Sequence, residues 1–172
     1  MTSTTTAFTA LPLHPTTAAE LRERDDAGRR RTPFTDTEGG SPLRCCLRRS
    51  GPGERIVLVS YAPLRRWAEE TGADPGAYDE CGPVFLHADP CPGPDGEAGG
   101  YPLRLHGPRR MLRAYDASGR ILGGTLLELP HAGQEELDAA VGDAFADPQV
   151  AVVHLRAVEF GCFLAELRPG QP

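Results

Sequence analysis

From residue 43 onward the chain alternates between apolar and polar positions in short runs, and glycine and proline break one run from the next. LRCCL (43–47) reads as a strand, and SGPGE (50–54) reads as a turn into RIVLVSY (55–61), which predicts a first hairpin. PVFLH (83–87) is a further strand. RRMLRAY and RILGGTLLEL flank Asp116-Ala-Ser-Gly119, whose last residue suits the left-handed position of a tight hairpin. AVVHLRA and CFLAELR, joined around residues 158–161, predict the closing pair of strands.

Three stretches carry a helical pattern instead. Thr17 and Glu20 have capping-box spacing ahead of a short helix near 18–26, and Pro63 opens another over 64–71, with Leu64, Trp67 and Ala68 on one side and Gly72 as its stop. The longest, 134–146, sets Leu137, Val141, Ala144 and Phe145 on one face before Asp147-Pro148 ends it. This order predicts an α+β fold, with an antiparallel or mixed sheet of about six strands and the main helix packed on one face. Residues 1–41 read as a weakly structured N-terminal segment with one short helix, threonine-rich and loose over 1–8 and a mobile loop over 25–41. Residues 42–168 form a single domain, and 169–172 a tail. The proline- and glycine-dense stretch 88–102 is a loop able to form a rim or lid.

Composition narrows the chemistry. A chain of 172 residues can bury the core of one domain, and its net charge of −6 argues against a nucleic-acid footprint or a polybasic membrane patch. Every basic residue is arginine. With no lysine there is no pyridoxal phosphate Schiff base, no Walker A nucleotide site and no Ser-Lys dyad. No secretory leader or membrane-length apolar run is evident, so a cytoplasmic location is expected, with the five cysteines reduced.

PGERIVLVSY, GPVFLHADPC, LRAYDASGRI and VHLRAVEFGCF occur in that order, and together they resemble the bacterial family known as domain of unknown function 1203, over roughly residues 42 to 168. The closing VHxR…GCF segment is the most specific part, although Ala157 stands where the family pattern often has asparagine. The resemblance implies an α+β fold and a cytosolic bacterial origin, and it carries no catalytic residues.

The candidate chemistry therefore comes from side chains. His154 and Arg156 share one face of their strand and Val153 and Leu155 the other. If Arg156 pairs with Phe160, His154 lies opposite Cys162 and the two form a thiolate-generating dyad. In that reading Cys162 and His154 are catalytic, and Arg156, His87 and Tyr61 contact a small-molecule substrate. The bland alternative makes them packing residues of a non-catalytic interaction domain. Cys81, His87 and Cys91 form a second group that suits zinc or copper, to which Cys45-Cys46 adds a ligand from a neighbouring strand. Metal is not the favoured reading, because no CxxC or HExxH spacing is present and Pro90 and Pro92 flank Cys91 as loop residues do.

Overall fold

In the computed structural model, residues 7–96 and 99–170 are described. In chain order the elements are β1 (Phe8–Leu11), α1 (Pro15–Glu23), β2 (Phe34–Asp36), β3 (Pro42–Leu43), β4 (Arg48–Arg49), β5 (Glu54–Tyr61), α2 (Pro63–Thr71), β6 (Gly82–His87), β7 (Arg110–Tyr115), β8 (Ile121–Leu127), α3 (Gln134–Phe145), β9 (Val152–Ala157) and β10 (Phe163–Pro169). The α+β class holds. The strands divide between two five-stranded sheets, ordered β1-β10-β9-β7-β8 and β2-β5-β6-β3-β4.

The first sheet is antiparallel throughout. Alternation along β9 sends Val153 and Leu155 into a core with Leu137 and Val141 of α3, while Val152 joins Tyr115 and the α2 residues Leu64 and Trp67 on the opposite face. The β7–β8 hairpin forms where Asp116-Ala-Ser-Gly119 predicts it: Gly119 has φ 85°, and Asp116 Oδ1 accepts from the Ser118 and Arg120 backbones. Helix α2 begins on Pro63 and stops at Gly72, whose φ of 77° gives the left-handed cap.

The second sheet is mixed. β5 pairs antiparallel with β2 and β6, and β3 runs parallel to β6 with Leu43 level with Phe85. Here the LRCCL strand expectation is corrected. The strand stops at Leu43, residues 44–47 turn back, and β4 pairs with β3 and not with β5. Leu47 at φ 54° lets the chain reverse within those four residues.

The N-terminal segment is more ordered than its composition suggests. Phe8 and Ala10 are buried in β1, which edges the first sheet; β2 edges the second, and Ala18 and Leu21 of α1 pack on that sheet's core. Helix α1 starts on Pro15, earlier than the Thr17 cap implies, with His14 Nδ1 accepting the Thr16 N–H at 3.2 Å. The loop 25–31 is fixed by Asp25, which accepts from the backbones of Ala27, Arg29 and Ser60 and from Arg31 Nε. Of the stretches expected to be loose, residues 1–6, 97–98 and 171–172 lie outside the described residues. No helix among the described residues is long and apolar enough to cross a membrane.

Candidate functional site: a buried thiolate cluster and a recess between the sheets

The parallel pairing of β3 with β6 builds the first site. The pairing ends with Leu43 level with Phe85, and the turn that follows sets Cys45 beside His87. The Arg44 N–H donates to Phe85 O at 3.0 Å and the His87 N–H to Cys45 Sγ at 3.4 Å. The tight turn brings Cys46 to the same side, and the chain leaving β6 returns Cys91. Donor atoms of Cys45, Cys46, His87 and Cys91 all lie within 4.8 Å of one another, with both vicinal cysteines buried.

The histidine is oriented from behind. Its Nδ1 is 3.4 Å from Cys45 Sγ and 3.8 Å from Cys46 Sγ, while Nε2 is 3.3 Å from Glu54 Oε1. With the proton on Nε2 it is donated to that carboxylate and the Nδ1 lone pair faces the sulfurs; Arg48 Nη2, 3.2 Å from Nε2, is the competing donor that favours the proton on Nδ1. Glu54 is held by two hydrogen bonds from Arg48, at 2.7 and 3.0 Å, and by the Gly51 N–H at 2.7 Å. Those bonds, Arg48's first, keep the Glu54 carboxyl down at about 2. A hydrogen bond from the Cys46 thiol outweighs burial and, with the His87 N–H, draws the Cys45 thiol below its ordinary value; the same contact and burial push Cys46 up. One sulfur of the pair thus ionises first and holds its neighbour's proton.

The second site is a recess of about 310 Å³ between the sheets, walled by β9, the β9–β10 loop, the start of α2 and the segment entering β6. His154, Arg156, Cys162, Tyr61, Cys81 and Glu80 line it. His154 is fully buried between the rings of Tyr115 and Phe163, at 4.8 and 5.1 Å. Neither ring nitrogen has a hydrogen-bond partner among the described residues, and the nearest carboxylate oxygen, Glu166 Oε2, is 4.0 Å from Nε2. Burial, reinforced by the charges of Arg156 and Arg113, pushes the imidazole down to about 3, so it is neutral.

The register that would set His154 opposite Cys162 is not the one adopted. Arg156 pairs with Phe163, a bulge at Leu164 shifts the ladder, and His154 faces Glu166. The β9–β10 connection is wider than expected because Gly161 (φ 69°) extends it and Arg156 Nε and Nη2 both donate to Gly161 O. Cys162 Sγ contacts Phe160 O at 3.5 Å and is not bonded to the imidazole.

The predicted residues therefore sort into two places. His154, Arg156, Cys162 and Tyr61 meet at the recess, whereas His87 belongs to the thiolate cluster. Cys81 is exposed at the far end of β6 from His87, outside the cluster in which Cys45 and Cys46 take its place. Glu54 and Arg48, the residues that orient His87, carry no sequence signal beyond being charges beside a turn.

No curated protein and no solved structure matches the chain. The family model described as protein of unknown function, DUF1203, matches residues 40–168, a span that includes the four cluster residues and every residue of the recess named above. The chain belongs to the DUF1203 family.

Proposed function

We propose that the chain is a metal-stabilised domain that holds a small molecule between its two sheets, with Zn²⁺ bound by Cys45, Cys46, His87 and Cys91. One observation carries the metal reading: four soft or borderline donors from three separate segments converge within 4.8 Å, two of them buried. Three thiolates and one imidazole are a zinc donor set, and the carboxylate behind the imidazole supplies the outer contact that zinc-bound histidines use. Four protein donors complete a tetrahedral shell. The ion would then tie the β3–β4 turn to the end of β6 and its following loop, and hydrolytic chemistry, which needs a vacant position, is disfavoured. A reducing cytoplasmic compartment suits such thiolates.

The small-molecule reading rests on a different observation, the recess of about 310 Å³ between the sheets, lined by Tyr61, Cys162 and the Arg156–Glu80 ion pair.

Metal analysis of protein purified without added metal is expected to give one zinc per chain. Replacement by Co²⁺ is expected to produce the strong visible bands of a tetrahedral site and thiolate charge-transfer absorption. Zinc well below stoichiometry, with no cobalt spectrum on reconstitution under reducing conditions, would falsify the metal reading.

A further inference from the structure

A separate hollow of about 360 Å³ lies between α1, the loop leading from it into β2 and the chain leaving β6, and three arginines line it: Arg22, Arg30 and Arg31. In a chain of net charge −6 this is a local reversal of sign. Arg22 is partly buried, its Nε donates to His87 O at 2.9 Å, and it forms no ion pair among the described residues. Its Nη2 is enclosed without a partner, so a partly buried positive charge is left uncompensated. Arg31 commits Nε to Asp25 at 2.7 Å and reaches Ser60 Oγ with Nη2 at 3.5 Å. Arg30 only approaches Glu23, at 3.6 Å, and their side chains are 75% and 73% exposed, so that contact is longer than a hydrogen bond and contributes little. Nη1 of Arg22, Nη1 of Arg31 and the head of Arg30 are therefore open to solvent, with no hydrogen-bond partner among the described residues.

From these open donors we infer that the hollow is a binding site for a phosphate group, either inorganic phosphate or the end of a small monoester. Three guanidiniums face two carboxylates, Asp25 and Glu23, and Glu23 is held so loosely that an anion displaces it. A dianion then balances the charge that Arg22 and Arg30 leave. Planar guanidiniums present N–H donors to phosphate oxygens, and the oxygens need none of the nitrogens already bonded to Asp25 or His87 O. Pro33, Val57 and Pro90 form an apolar wall beside the arginines, where the carbon part of a monoester lies. An organic cation would meet the surplus positive charge and is excluded. The site is distinct from the recess, and its charge does not depend on metal in the thiolate cluster.

Calorimetric titrations of the full chain with inorganic phosphate and with phenyl phosphate, at constant ionic strength so that screening is fixed, test this. Both are expected to bind; tighter binding of phenyl phosphate assigns the monoester, and equal affinities assign the inorganic ion. Arg30→Gln, a change at a largely exposed residue, should weaken either probe about tenfold through loss of a charge-assisted contact. Glu23→Gln should tighten both severalfold by removing the competing carboxylate. Arg29→Gln, at an exposed arginine of the same loop that does not line the hollow, should change nothing. Arg22→Gln should abolish binding, and where loss of its bond to His87 O unfolds the chain, the variants at Arg30, Glu23 and Arg29 still decide. No heat and no broadening of the phosphorus resonance with either probe would overturn the site. So would an equal loss of affinity in Arg30→Gln and Arg29→Gln, which marks diffuse attraction to surface charge.

Discussion

The thiolate cluster and the recess are both built at strand ends, and they differ in how far the protein completes them. Around His87 every polar atom has a neighbour: sulfur on one side of the ring, Glu54 on the other, Arg48 and a backbone amide behind the carboxylate. Around His154 there are ring faces and no hydrogen-bond partner among the described residues. The same residue type is thus prepared for opposite tasks. An imidazole with its outer nitrogen held by charged side chains is oriented as a ligand, and one held among rings with both nitrogens idle stays neutral.

The hardest blow to this contrast should come from the cluster. Cys91→Ser is expected to lower stability by on the order of 4 kcal/mol, a fall in Tm of about 8–16 °C by calorimetry, and chelation of the wild type should reproduce it. A loss under about 1 kcal/mol would leave the cluster a packing feature. Glu54→Gln should act less strongly, reducing zinc affinity about 10- to 100-fold in competition with a chromophoric chelator while the fold persists. Unchanged affinity would show that the carboxylate does not orient the ring.

His154→Phe should have the smallest effect on stability at neutral pH, and of opposite sign. Removing two unpartnered nitrogens without emptying the site is expected to be neutral or stabilising by roughly 1 kcal/mol in urea denaturation. Its signature is in the pH dependence. The ordinary imidazole value is 6.5 and burial lowers it to about 3, so the unfolded chain takes up a proton that the folded one refuses. Wild-type stability should therefore be undiminished by this group above pH 6.5. Below that it falls with an added slope of about 1.4 kcal/mol per pH unit, down to about pH 3. The phenylalanine variant should lack that component, and identical slopes in the two proteins would place a hidden partner on the imidazole.

The sequence made the second half of the fold legible and left much of the first half hidden. The β7–β8 hairpin, α2 and α3 announce themselves through local chemistry: a turn glycine, a leading proline with a trailing glycine, a helical apolar stripe. The division into two sheets rests on long-range pairings such as β1 with β10 and β3 with β6, which no local pattern encodes. His154 and Arg156 on one face followed from alternation alone, whereas the partner of His154 depended on a bulge and on a loop three residues longer than the expected pairing of Arg156 with Phe160 allows. The thiolate cluster escaped the spacing rules because those rules describe ligands within one or two short motifs. Here Cys45-Cys46 and His87–Cys91 are about forty positions apart and meet through parallel strand pairing.

Arg44 gives these two regions a common strut. It is covalently next to Cys45, and its buried guanidinium donates through Nε and Nη2 to Phe163 O at 2.8 and 2.6 Å, so one side chain bolts the cysteine turn to the strand whose ring flanks His154. The cysteine turn and the edge of the cleft thus share one buried fastening, and a variant that removes the Arg44 guanidinium strips a hydrogen-bond donor from both at once.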